Sequence, residues 1–199
     1  NSGAGIYLQR SNCTINDNTI ISGNETTGPY AGGGISVVYN ESTLTLNNGT
    51  ISNNKSNSGW GVGVRVDSGH LILNGGTIDN HFGGSVPGSN NIGIGTGASS
   101  TIYDKKSNYT VTSKKYFMAS ALNNNFVIDV TGAKVANGTN IQLYTKSTNN
   151  AQKWKVIPYK VVNGVVDYMF LSQIDQTQYM WVSGNSSLSG ANVVTWEPH

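Results

Sequence analysis

The sequence predicts an all-β protein made of two successive repeat units, a stack of parallel β-coils followed by a smaller β unit that repeats upon itself. Three observations predict it. A short Gly-led apolar segment returns at intervals of 29, 29 and 30 residues in the first half, and a different, aromatic pattern returns at an offset of 52 in the second. Between them lie turns rich in Gly, Asn and Ser, with Gly at 25 residues and Asn about as common, so turn chemistry punctuates strands too short to be helices.

The first interval is carried by Gly5-Ile6-Tyr7-Leu8, Gly34-Ile35-Ser36-Val37, Gly63-Val64-Arg65-Val66 and Gly93-Ile94-Gly95-Thr96. Within each period a second segment recurs as Cys13-Thr14-Ile15-Asn16, Leu44-Thr45-Leu46-Asn47 and Leu71-Ile72-Leu73-Asn74. A third recurs as Thr19-Ile20, Thr50-Ile51 and Thr77-Ile78. Each period thus offers three short alternating strands, the pattern of one turn of a parallel β-solenoid. Alternation sends Ile6, Leu8, Ile35, Val37, Val64, Val66, Ile15, Leu46, Leu73, Ile20, Ile51 and Ile78 inward. Cys13 takes the inward place that Leu44 and Leu71 hold, a core residue and not a nucleophile. Asn16, Asn47 and Asn74 fall at one turn, where amides bond along the stack and satisfy buried backbone groups.

The phrases Leu46-Asn47-Asn48-Gly49-Thr50-Ile51 and Leu73-Asn74-Gly75-Gly76-Thr77-Ile78 resemble the right-handed parallel β-helix repeats of bacterial surface adhesins, a pectin-lyase-like architecture. The resemblance covers residues 1–109 and implies three to four coils. It implies little about activity, because the same fold carries both enzymes and adhesins. The opening Asn1-Ser2-Gly3-Ala4 reads as the interior of a repeat already under way, so the chain is expected to be an excerpt of a longer polypeptide.

A polysaccharide-degrading solenoid needs carboxylates paired across neighbouring coils, or a base beside a cation. The outward positions of the first strand stack as Tyr7, Ser36 and Arg65, then as Gln9, Val38 and Asp67, with no carboxylate pair. Arg65 and Asp67 share one face of a strand and are expected to form a surface ion pair. Asp79 and His81 read as a solvated turn, and His70 as a turn residue beside Gly69. With His199 at the end, the three histidines have no metal-binding spacing. No catalytic residue, metal or cofactor is expected.

Charge and hydropathy narrow the partners. A net charge of +2 with only Lys105-Lys106 and Lys114-Lys115 as basic pairs offers no stripe for phosphates, so nucleic acid is an unexpected partner. No apolar run approaches the roughly 20 residues of a membrane span, and membrane insertion is not expected. A single cysteine excludes an internal disulfide and suits secretion.

A boundary falls near residues 108–114, where aromatic residues, Gln and Lys become commoner. Tyr116-Phe117-Met118-Ala119-Ser120 matches Tyr168-Met169-Phe170-Leu171-Ser172. Phe126-Val127-Ile128-Asp129-Val130-Thr131-Gly132 matches Gln178-Tyr179-Met180-Trp181-Val182-Ser183-Gly184, and Asn137 to Tyr144 matches Ser189 to Trp196. These are two copies of one β unit, residues 112–157 and 158–199, in a module spanning 110–199.

Val127-Ile128-Asp129-Val130, then Asn137-Gly138-Thr139-Asn140-Ile141-Gln142-Leu143-Tyr144, then Ala151-Gln152-Lys153-Trp154, resembles the ricin B-type lectin repeat with its glutamine-x-tryptophan signature. The resemblance implies a partial β-trefoil of ricin B lectin type, two repeats of a threefold module, with a shallow sugar pocket. By resemblance Asp129 accepts bonds from neighbouring sugar hydroxyls, Tyr144 stacks on the pyranose and Gln142 supports them. Asn149, Asn150 and Gln152 complete the implied carbohydrate-binding set, although Gln152 and Trp154 are chiefly structural in such repeats. Ala151 stands where the family's sugar-binding repeats carry Asn, so Asn149 or Asn150 must substitute. The second copy carries Trp181 and Val194 in place of Asp129 and Gln142 and lacks the acceptor. Asp129 can equally be a turn carboxylate bonded to nearby backbone amides.

Two functions follow. One is a non-catalytic carbohydrate-binding and adhesion segment of a secreted or surface bacterial protein, with a glycan as partner and an extracellular location. The alternative is the targeting portion of a β-helix polysaccharide lyase or glycoside hydrolase whose catalytic coils lie outside this chain.

Overall fold

The structure is a computed structural model that describes residues 5–27, 32–57, 61–84, 91–95 and 100–197. Asn1 to Ala4, Thr96 and His199, named above, lie outside the described residues. The chain is all-β: among the described residues the helical content is three single turns of 3-10 helix. It divides into two compact units, residues 1–113 with 157–168, and residues 114–156 with 169–199.

In the first unit, strands one period apart pair in parallel. Ile6–Gln9, Ile35–Val38, Val64–Asp67 and Ile92–Ile94 form one sheet, in register Ile6↔Ile35↔Val64↔Ile92. Asn12–Ile15, Thr43–Leu46, His70–Leu73 and Thr101–Asp104 form a second, which aligns Cys13 with Leu44, Leu71 and Ile102. Ile20–Ser22, Thr50–Ser52 and Thr77–Asp79 pair likewise. A set of two-residue strands, Glu25–Thr26, Lys55–Ser56 and Phe82–Gly83, adds a fourth strand per period where the sequence pattern offers three. Two residues cannot display a periodicity, which is why the pattern misses them.

Two registers differ from expectation, with opposite consequences. Ile92 and not Ile94 pairs with Val64, so the Gly93 segment is displaced by two positions and the same face stays inward. Ile20 pairs with Thr50 and is 66% exposed, while Ile21 pairs with Ile51. The matching Thr-Ile dipeptides conceal one extra residue, and a one-residue slip turns the side chain out. The rest of the expected core is buried or half-buried, with Ile35, Val37, Leu46, Ile51, Val64, Val66 and Ile78 fully so.

The second and third strand sets become mixed sheets, because antiparallel strands cover their open edges. Tyr109–Thr112 folds back on Thr101–Asp104. The segment 157–168, assigned by its sequence to the second module, runs antiparallel to the third strand set at Ile78↔Val161, and the Gly164 N–H donates to the Gly76 carbonyl at 2.8 Å. Covering an edge removes a row of unpaired backbone groups. Asp104 falls at the inward position of Leu73 yet is buried. Its Oδ1 accepts from the N–H of Lys106 at 3.0 Å, and its Oδ2 accepts from Ser107 Oγ at 2.6 Å and Tyr168 Oη at 3.0 Å. Burial and that carboxylate together push the Tyr168 phenol far up.

Two polar ladders run along the stack. Asn47 donates to Asn16 at 2.7 Å and Asn74 to Asn47 at 3.0 Å, at an exposed turn, so these amides serve one another and not buried backbone. The second ladder is internal. Asn54 Nδ2 donates to the Ile21 carbonyl at 3.0 Å, and its Oδ1 accepts from the Asn24 N–H at 3.0 Å. One period on, His81 plays the same part: its Nδ1 accepts from the Asn54 N–H at 3.2 Å and its Nε2 lies 3.1 Å from the Ile51 carbonyl. Accepting at Nδ1 places the proton on Nε2, and burial pushes the pKa down to about 4. His81 is therefore a buried neutral residue and not a solvated turn. His70, expected in a turn, opens a strand and meets Thr101 Oγ1 at 2.7 Å through Nδ1.

The internal ladder explains the leading glycines. A Cβ on Gly34 would lie 2.5 Å from the Gly63 carbonyl oxygen and 2.9 Å from Asn54 Nδ2, and one on Gly63 would lie 2.3 Å from His81 Nε2. Only a residue without Cβ lets the strand start this close to the ladder.

The second unit is built from two antiparallel hairpins. Phe126–Val130 pairs with Thr139–Thr145, and Tyr179–Val182 pairs with Val193–Trp196. Their registers superpose at the offset of 52 seen in the sequence: Asp129↔Gln142 answers Trp181↔Val194, and Val127↔Tyr144 answers Tyr179↔Trp196. The turns agree as well, with Gly132 and Gly184 at φ 64° and 65°, and Ala133 and Asn185 both at φ 52°. Val130, Ala151 and Trp154 centre the core, with Met118, Ile128, Ile141, Phe170, Ile174 and Met180 against them.

Candidate functional site

The strand Phe126–Val130 alternates so that Val127 and Asp129 share a face, and its antiparallel partner brings Tyr144 opposite Val127 and Gln142 opposite Asp129. Asp129, Gln142 and Tyr144 therefore occupy one face of one hairpin. Asp129 is 7% exposed, with Oδ1 accepting from Gln142 Nε2 at 3.1 Å, whereas Tyr144 is 57% exposed. An amide orients a carboxylate beside an open aromatic ring, a combination suited to two vicinal hydroxyls and the apolar face of a sugar.

The remaining residues of the expected set are placed differently. Gln152 is buried, its Oε1 accepting from the N–H of Ser147 at 2.7 Å and its Nε2 donating to the Thr145 carbonyl at 2.9 Å. Both ends of that amide serve the loop between strand and core. Trp154, fully buried, donates from Nε1 to the Ile128 carbonyl at 3.3 Å and so ties the core to the strand that carries Asp129. Asn149 is exposed and caps the 3-10 turn Asn150–Gln152, its Oδ1 accepting from the Ala151 N–H at 3.0 Å. Asn150 is exposed, with Oδ1 3.4 Å from Lys153 Nζ. Ala151 faces the core at 2% exposure.

In the second copy, Trp181 stands where the first has Asp129 and donates from Nε1 to Asn185 Oδ1 at 2.6 Å, an amide at the position of Ala133 and not of Gln142. Near the turn of the first copy, Thr131, Lys134, Asn137, Gly138, Thr139 and Asn140 line an open cavity of about 360 Å³ that sequence reading did not single out.

In the first unit, Arg65 and Asp67 pair at 2.5 Å, but the guanidinium side chain is only 9% exposed, so this is not the surface pair expected. The backbone at Gly32 passes close to the base of this side chain: a Cβ there would lie 3.2 Å from the Cβ of Arg65. Burial pushes the Cys13 thiol up, in keeping with an unreactive packing residue. Among the described residues, no helix is long and apolar enough to cross a membrane.

No curated protein sequence matches the chain. Among solved structures, a designed threefold-symmetric protein, ThreeFoil, is 19% identical with a TM-score of 0.37, covering 50% of this chain and 71% of its own. The C-terminal half of an earthworm R-type lectin, solved in complex with GalNAc, is 15% identical with a TM-score of 0.21, covering 43% of this chain and 90% of its own. The family match is confined to the second half: residues 105–196 match the ricin-type beta-trefoil lectin domain-like family, and the segment from Asp129 to Trp154 lies inside it.

Proposed function

We propose that the chain is a non-catalytic glycan-binding and adhesion segment, with its sugar pocket on the hairpin Phe126–Thr145. The observation that carries this reading is the single face shared by Asp129, Gln142 and Tyr144 within the segment that matches the lectin family. Asp129 accepts the sugar hydroxyls, Gln142 holds the carboxylate in place and Tyr144 receives the pyranose face. Asn149 and Asn150, both exposed on the adjoining loop, supply the amide that Ala151 lacks. The second copy, with Trp181 and Val194, is a scaffold and not a second pocket of this kind.

The first unit is read as a right-handed parallel β-helix that serves as a spacer, on the strength of parallel pairing between strands one period apart. A bacterial, secreted or cell-surface setting rests on the likeness to surface adhesin repeats and on the single cysteine. A shallow single pocket binds weakly and gains strength from multiplicity.

A glycan array probed with the chain tests the reading. Binding to at least one terminal sugar is expected, and Asp129→Ala is expected to weaken it tenfold or more, a loss of ~1.4 kcal/mol or greater. Absence of binding, or binding to every sugar that survives Asp129→Ala, defeats it.

A further inference from the structure

A second polar cavity lies in the first unit, where no lectin resemblance reaches. Its volume is about 280 Å³, and Tyr7, Val38, Tyr39, Arg65, Asp67 and Ser68 line it. These residues come from three successive periods, so the cavity exists only because the parallel register stacks them. The Arg65 guanidinium is compensated by Asp67, so the lining carries no net charge. Asp67 is still 35% exposed at its side chain and keeps a face toward solvent, and both tyrosine rings are partly open.

Tyr39 is the informative residue. Its φ of 68° lies in the left-handed region, which a bulky side chain enters at a cost and which Gly or Asn would occupy freely. The surroundings hold it there: its N–H donates to the Asp67 carbonyl at 3.2 Å, its carbonyl accepts from the Ser42 N–H at 3.0 Å, and Arg10 stands 4.9 Å from the ring centroid. A tyrosine thus stands at a position that Gly or Asn would occupy without strain, 43% exposed and lining the cavity.

The geometry points to a second carbohydrate site, in which Tyr7 and Tyr39 receive the apolar faces of a neutral sugar and Asp67, oriented by Arg65, accepts its hydroxyls. A neutral pyranose fits better than a phosphate or a uronate, because the cation in the lining is already matched. This site is independent of the pocket at Asp129.

The test uses the whole chain carrying Asp129→Ala on an array of neutral oligosaccharides ending in galactose, glucose, mannose or an N-acetylhexosamine. At least one class is expected to remain bound. Adding Tyr39→Asn is expected to weaken that remaining binding tenfold or more while the melting temperature holds or rises, since Asn relieves the backbone; Tyr7→Ala is expected to weaken it similarly. No residual binding in the Asp129→Ala chain overturns the site, as does residual binding that survives both tyrosine changes. A lowered melting temperature in Tyr39→Asn also overturns it, by showing that the ring serves packing. If Asp129→Ala leaves all binding intact and Tyr39→Asn abolishes it, the hairpin pocket fails and this one stands.

Discussion

The two units both arise by repetition, yet they satisfy their buried polar groups in different ways. In the first, an internal ladder joins neighbouring periods: Asn54 serves Ile21 and Asn24, and His81 serves Ile51 and Asn54. In the second, some partners lie within the same copy, as Gln152 serves Ser147 and Thr145 and Trp154 serves Ile128, while Thr195 Oγ1 donates across to the Ala136 carbonyl of the other copy at 3.2 Å. A stack shares its interior among all its members, whereas a hairpin copy satisfies part of its interior by itself. Equivalent positions of the two copies can still differ in chemistry, as Asp129 and Trp181 illustrate.

The comparison breaks most visibly at Trp154. Trp154→Ala removes a fully buried indole and its hydrogen bond, and is expected to cost about 3–5 kcal/mol. Hydrogen exchange should report lost protection across residues 126–145 with the amides of Val64–Asp67 still protected. Equal loss in both units would show that the damage does not stay within the second unit.

A smaller effect is expected from pH, and in the first unit alone. His81 has a folded pKa of about 4, below the ordinary value of 6.5, so between those values the unfolded chain binds the proton first and stability falls as pH falls. The loss accumulates to the order of 3 kcal/mol by pH 4 and is absent above about pH 7. His81→Asn should flatten that part of the profile, because an amide makes the same two bonds here that Asn54 makes one period earlier. Parallel acid profiles for the two proteins in urea denaturation would refute the role of His81.

The smallest effect sharpens the likeness of the two copies. Ala133 sits at φ 52°, where its counterpart is Asn185. Ala133→Asn is expected to stabilise the second unit by about 0.5–1 kcal/mol, read as a shift in its thermal midpoint, with glycan binding unchanged. A destabilised variant would mean that the turn is shaped by contacts absent from the second copy.

Much of the candidate site was legible beforehand because it is local. Alternation along Phe126–Val130 and the spacing to Gln142 and Tyr144 already imply a shared face once a hairpin is assumed. The cavity at Tyr39 was not legible: Tyr7, Arg65 and Asp67 stand out singly, but neither the φ of Tyr39 nor the burial of Arg65 leaves a trace in residue order.

By itself, then, the sequence determined the all-β class, the two periods near 29 and 52, the alternating core and the likeness of residues 105–196 to a lectin family, since periodicity and turn composition are properties of neighbouring residues. Tertiary structure alone decided that Ile21 and not Ile20 faces inward, that His81 joins Asn54 in an internal ladder, that Asp104 is buried, and that the segment 157–168 packs with the first unit. Each of these depends on register between strands some thirty or more residues apart. A shift of one residue there leaves the local pattern intact but reverses which face meets the core.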